Sequence, residues 1–271
     1  MKKLFALGLA AFLTGCGVQN KNIHYSPTNS YENNNISLEE GVIQKVSESV
    51  VKIEVSADYM CNGEKLKQGG VGTGTVINRS RGKDQILTAE HVITMPETID
   101  GLFISCEKVS DTEIVVDGLY NAKVSSQNEG LDYALLEIPM NPKLKPLKAN
   151  IGDSNNLQVG DYIYAIGYSL GLEKFVSDGM VTNTSFPRGD KVTNEGFMFS
   201  SSISPGNSGG PLFAVSEGEL YLVGIAHAYY PRGQQLYIGK KITPILKDIK
   251  KKGVKVKKVS SDIEYFNKLE K

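Results

Sequence analysis

The sequence has no excess of charge of either sign: 30 Lys and Arg balance 30 Asp and Glu over 271 residues. Without net charge there is no electrostatic pull on nucleic acid, and that class of partner is not expected. Histidine and cysteine are scarce, three of each. No group of His, Cys, Asp or Glu has metal-site spacing, so neither a metal nor a cofactor is expected. His24 lies in a polar stretch and is read as inert. No apolar run approaches the roughly 20 residues a membrane-crossing helix needs. No internal repeat is visible, and no second folded domain is expected in the residues after Lys258. Hydrophobic residues at 40% and charged residues at 22% are ordinary for a globular chain.

What is abundant is short. Val, Ile, Tyr and Thr recur in brief runs between 28 glycines, among them "VVKIEV", "GVGTGTVIN", "DQILTA", "YALLEI", "YIYAIGY" and "ELYLVGIAHAYY". Many short strands at such spacing predict an all-β sandwich or barrels. Residues 17–36 are polar, Asn-rich and aperiodic, and cannot offset their ordering entropy, so they read as a tether. Ser37-Leu38-Glu39-Glu40 has the form of a capping box and predicts a short helix through about Ser47, with Leu38, Val42 and Val46 on one face. Ile242, Ile245, Leu246 and Ile249 form a helical stripe, and the lysines from Lys247 to Lys258 fit a solvated face and tail.

The N-terminus reads as an export signal: "MKK", then the apolar "LFALGLAAFL", then small residues before Cys16. Leu13-Thr14-Gly15-Cys16 resembles the lipobox of bacterial lipoproteins. That resemblance implies cleavage after Gly15 (residues 1–15 a signal peptide), lipid on Cys16, and a tether over 16–36. The expected location is the bacterial cell envelope; Gly17 lacks the acidic character of an inner-membrane retention signal, which ranks the periplasmic side of an outer membrane, where there is one, ahead of the inner membrane. With Cys16 acylated, Cys61 and Cys106 remain as a pair for a disulfide in an oxidising compartment; two free thiols are the alternative.

Three stretches carry candidate chemistry. "LTAEHVI" puts His91 just after a buried strand, "LDYALLEI" opens a strand at Asp132, and "SPGNSGGPL" surrounds Ser208 with turn-forming residues. Each alone is a common structural feature. Together, in the order His, Asp, Ser, they resemble the trypsin-like serine proteases, and most of all the HtrA-type bacterial branch. The resemblance runs from about residue 40 to 255 and includes "VSESVVKIEV", "GTGTVI", "VGIA" and "IGKKITPILKDI". It implies two six-stranded β-barrels in a protease domain spanning 37–258, followed by a tail over 259–271.

The resemblance also implies roles. His91 is the general base, Asp132 holds its tautomer, Ser208 is the nucleophile, and the N–H groups of Gly206 and Ser208 form the oxyanion hole. Substrates would be proteins or peptides. The alternative is a protease-fold module that holds extended peptides without cleaving them. Two departures stand out. Asn207 occupies a position where digestive members carry an acid, so activation by an ion pair to a new N-terminus is not expected. HtrA-type proteins usually continue into PDZ domains, whereas this sequence runs about 20 residues past its last helix, so regulation by such a domain is not expected. By the same resemblance Ser202, Ile203, Ala226, His227, Ala228 and Tyr229 line the substrate pocket. None is acidic, which disfavours Arg and Lys and ranks aliphatic side chains first, Glu or Gln second. Strand alternation turns the His227 ring to the face of Asp132.

Overall fold

The computed structural model describes residues 38, 41–100, 105–188, 191–230, 233–254 and 259–260. Cys16 and the capping-box residues Ser37 and Glu40 lie outside them. The first helix, α1 (Val42–Ser47), starts after Gly41, which has φ 76° and no side-chain cap. It ends at the expected residue and buries Val46.

The first half of the chain is a curled antiparallel sheet. In chain order it contains β1 (Val50–Cys61), β2 (Glu64–Ser80), β3 (Lys83–Thr88), the short helix α2 (Glu90–Ile93), β4 (Thr98–Asp100), β5 (Ser105–Lys108), β6 (Glu113–Val116), β7 (Tyr120–Asn121), β8 (Lys123–Asn128) and β9 (Tyr133–Pro139). Period-two sequence sets the inward face of β1, where Val51, Ile53, Val55, Ala57, Tyr59 and Cys61 are all buried. Asn62 and Gly63, at φ 50° and 85°, make the two-residue turn into β2, pairing Cys61 with Glu64. The strand path is β4-β5-β1-β2-β3-β9-β8, with β6 also on β1. Among the described residues this sheet does not close by ladder pairing, so it is a half-barrel rather than a six-stranded ring.

The second half contains β10 (Asn150–Gly152), β11 (Tyr162–Gly167), β12 (Phe175–Asn183), β13 (Phe186–Arg188), β14 (Lys191–Thr193), β15 (Gly196–Phe199), β16 (Pro211–Ser216), β17 (Glu219–Tyr229), β18 (Tyr237–Lys241), α3 (Ile242–Lys251) and β19 (Val259–Ser260). Here the order β16-β11-β12-β15-β18-β17 returns to β16 and closes a six-stranded barrel. Leu212, Ala214, Val223 and Ala226 point into it with Phe197 and Phe199. The alternate residues Phe213, Val215, Leu222 and Ile225 pack outward, against the first sheet and the Ile242, Ile245, Leu246 and Ile249 stripe of α3. β16 and β17 are therefore a wall shared by both halves, and the loop carrying Ser208 opens directly onto it.

Cys61 and Cys106 face each other across β1 and β5 with Cα atoms 4.4 Å apart and are disulfide-bonded. Their sequence separation of 45 residues corresponds to about 4 kcal/mol of loop-closure entropy removed from the unfolded chain. The Cys61→Ser, Cys106→Ser double variant should lose stability of that order in denaturant titration. An unchanged midpoint would contradict it.

Asp161 is fully buried in the turn before β11. Its Oδ2 accepts the Gln158 N–H at 2.7 Å, and among the described residues Oδ1 has no partner. Burial pushes its carboxyl up to about 6, against the backbone hydrogen bond that lowers it. The folded state thus holds this proton above the ordinary carboxylate pKa of about 3.9. Stability from this group is present at low pH and lost as pH rises through the interval from about 4 to about 6. Asp161→Asn should flatten that fall, read by urea titrations at about pH 4 and about pH 7, and an unchanged pH dependence would contradict the account.

Candidate active site

His91 stands in the first turn of α2, immediately after β3. Its backbone N–H donates to Asp132 Oδ1 at 3.0 Å, and its ring Nδ1 lies 3.0 and 2.9 Å from Oδ1 and Oδ2 of the same carboxylate. Asp132 occupies the left-handed region, φ 49°, which Asp tolerates better than most residues because its short side chain bonds locally. The turn from Glu129, closed by the Asp132 N–H on the Glu129 carbonyl at 3.1 Å, aims the carboxylate at α2. Burial raises the pKa of Asp132, but hydrogen bonds from His227 and His91 outweigh it and hold the carboxyl far below the usual range. The group stays ionised wherever the protein is folded near neutrality.

His227 also reaches this carboxylate, its Nδ1 2.5 Å from Asp132 Oδ2. The face is the one strand alternation implied, but the immediate cause is a bulge. Ala226 pairs with Gly239 and Ala228 with Ile238, leaving His227 as the extra residue of β17. His91, Asp132 and His227 bring ligand-type atoms within 4.8 Å of one another, a convergence of residues far apart in sequence. Both Nδ1 atoms are engaged with the carboxylate, so the group is a hydrogen-bonded one.

The Ser208 loop is held from three sides. Thr73, fully buried on β2, donates its Oγ1 proton to the Gly206 carbonyl at 2.6 Å and its N–H to the Ser208 carbonyl at 2.8 Å. The same Oγ1 accepts the Tyr168 N–H at 3.0 Å. Gly209 donates to the Ala226 carbonyl at 2.8 Å, and Asn207 Oδ1 accepts from Ser169 Oγ at 2.6 Å. Gly206 and Gly209 have φ of 96° and 79°, and neither site has room for a Cβ. One at Gly206 would lie 2.3 Å from the Tyr168 carbonyl, and one at Gly209 2.2 Å from Thr88 Oγ1. Ser208 is half-buried between the end of β3 and β17. Among the described residues, the N–H groups of Gly206 and Ser208 have no backbone acceptor, and Ser208 Oγ makes no hydrogen bond.

Of the pocket residues, Ile203 is 8% exposed and packs into the closed-barrel core, Ala226 is buried, Ser202 is exposed and Tyr229 is 43% exposed. The His227 ring faces Asp132 rather than a side-chain pocket. Sequence reasoning missed Thr73 and Ser169. The signal for Thr73 was a threonine between glycines in an otherwise apolar run, whose buried hydroxyl must find partners.

A family model described as trypsin-like peptidase domain matches residues 72–225. The chain belongs to that family. Among curated relatives, this trypsin-like peptidase is 32% identical over 176 residues to the magnetosome formation protease MamE of Paramagnetospirillum magneticum, a match covering 62% of this chain and 21% of that protein. It is 33% identical over 172 residues to the periplasmic pH-dependent serine endoprotease DegQ of Escherichia coli, covering 63% and 34%. It is 34% identical over 154 residues to a probable periplasmic serine protease, do/HhoA-like, of Haemophilus influenzae, covering 56% and 29%. The matches thus span about a fifth to a third of these relatives. A solved structure of the HtrA-type protease AlgW with a decapeptide superposes at TM-score 0.59 and 16% identity, covering 79% of this chain and 67% of that one. At that identity the likeness is one of fold.

Thr73 generates a prediction that needs no substrate. Thr73→Val strands the buried Gly206 carbonyl and Tyr168 N–H, costing about 1–3 kcal/mol for each group. Thr73→Ser should recover most of the loss in denaturant titration, and equal losses for the two variants would contradict the account.

Proposed function

We propose that this trypsin-like peptidase is a serine endopeptidase of the bacterial envelope, anchored by lipid on Cys16 and acting on protein or peptide substrates. The observation that carries the reading is the seating of His91 Nδ1 on Asp132. An ionised carboxylate only accepts, so the proton sits on Nδ1 and Nε2 keeps the lone pair a general base needs. Nε2 takes the Ser208 proton as Oγ attacks the substrate carbonyl. The free N–H groups of Gly206 and Ser208 receive the oxyanion, and His91 then returns the proton to the leaving amine. Water, deprotonated by the same histidine, hydrolyses the acyl-enzyme.

The relatives' names, periplasmic and serine protease, support both the chemistry and the location. Among the described residues no helix is long and apolar enough to cross a membrane, and attachment through Cys16 would need none. The proposed organisation is a signal peptide over 1–15, a tether over 16–36, a protease domain over 37–258 and a tail over 259–271. For specificity, the non-acidic lining and the turn of His227 onto Asp132 leave small aliphatic side chains as the proposed preference before the scissile bond.

One observation favours the rival reading, a peptide-holding module without turnover: Ser208 Oγ has no hydrogen bond to His91 among the described residues. Such contacts are often loose without substrate and tighten in the complex. A fluorophosphonate probe separates the two readings. Labelling mapped by mass spectrometry to Ser208 is expected, and Ser208→Ala should lower peptide hydrolysis by on the order of 10⁴-fold or more. No labelling and no hydrolysis would select the binding module.

A further inference from the structure

Asp132 has more partners than one histidine requires. Its Oδ1 takes the backbone N–H of His91, and the two oxygens share the His91 ring at 3.0 and 2.9 Å. Oδ2 then takes a second imidazole, His227, at 2.5 Å. The carboxylate is 5% exposed and ionised, so the atom facing it on His227 must carry a proton. The two rings also meet edge to face, centroids 5.6 Å apart and inclined at 72°, and Phe186 flanks His227 on another side at 6.4 Å. The bulge that aims His227 is itself anchored. Ala226, one residue earlier, donates to the Gly210 carbonyl and accepts from the Gly209 N–H, both at 2.8 Å.

We propose that His227 is a positioning residue for the reaction: its Nδ1–H locks the Asp132 carboxylate in the one orientation that serves His91. The inference rests on reading His91, Asp132 and Ser208 as the reacting group. With a donor on each flank, the carboxylate cannot turn about its Cβ–Cγ bond without breaking a bond in a buried site. In the Nδ1–H form His227 is neutral, so it fixes Asp132 without cancelling the negative charge that stabilises protonated His91. His227 acts through Asp132 throughout and touches no substrate atom. The bulge ties this lock to the Ser208 loop, because the strand segment that carries His227 also receives the Gly209 N–H.

The test compares His227→Ala with His227→Asn, whose side-chain amide can place an N–H where the imidazole Nδ1–H was. In His227→Ala, kcat should fall about 10- to 100-fold with KM within about twofold, the signature of lost alignment. His227→Asn should recover most of that rate. Equal losses in the two variants, or a change confined to KM, would overturn the proposal. Should the alanine variant fail to fold, ¹⁵N NMR of the wild-type protein at neutral pH decides on its own. His227 should be protonated at Nδ1 and bare at Nε2, and the opposite tautomer would overturn it. The outcome is distinguishable from failure of the protease reading. In that case Ser208 stays unlabelled by fluorophosphonate while the His227 tautomer is still the Nδ1–H form.

Discussion

The hydroxyl and amide of Thr73 are the joint on which the arrangement depends. One buried residue of the first sheet bonds the carbonyls of Gly206 and Ser208 and the N–H of Tyr168, all three in the second half of the chain. Its own carbonyl receives Thr88 Oγ1 at 2.8 Å, from the strand that delivers His91. The same residue therefore sets the height of the serine loop and of the histidine segment. Apolar packing alone would not do this. The core is non-directional and tolerates small slides, whereas hydrogen bonds are directional, and four of them meet at this buried residue.

The wall formed by β16 and β17 makes that joint rigid. Its residues alternate between the closed barrel and the interface with the first sheet and α3, so both faces are buried. The open first sheet borrows this wall, which is why it needs no closed ladder of its own. A further tie runs at the edge nearest Asp132. Tyr133, the residue after it, donates its hydroxyl proton to Asp248 on α3 at 2.6 Å, and Asn128 reaches the same oxygen at 3.1 Å. The turn that aims Asp132 is thereby fastened from below by the C-terminal helix.

Much of this was legible from residues. The short apolar runs marked the strands, the Ile242 to Ile249 stripe marked α3, and the motifs pointed to His91 and Asp132, which the structure brings into hydrogen-bond contact. Ladder closure was not legible, and the aim of His227 was legible only as a face, not as the bulge that sets it. Ladder closure depends on which edges meet, and edge pairing leaves no signature in a strand's own sequence; β6 and β8 read alike whether or not the sheet closes. The aim of His227 depends on a bulge, and one extra residue in β17 changes which way a side chain points without changing the composition. Alternation alone indicated the correct face, although the strand does not alternate regularly there. Thr73 lay between the two cases, since a buried hydroxyl announces that it has partners but not which ones.

Asn207 shows how a neutral side chain can hold this loop at the position where the resemblance to the digestive proteases would put an acid. A buried carboxylate at this place needs a cation, and a cation supplied by a new chain terminus makes the loop's shape conditional on cleavage. Asn207 is 3% exposed and its Oδ1 is satisfied by Ser169 Oγ at 2.6 Å, so no charge is buried and none has to be matched. Ser169 comes from the segment whose backbone already meets the loop, where Leu170 N–H donates to the Pro205 carbonyl at 2.6 Å. Gly206 is confined by the same segment, because a Cβ there would collide with the Tyr168 carbonyl. Among the described residues the loop's conformation is held by bonds from Thr73, Ser169 and Leu170, all of them partners within the folded chain.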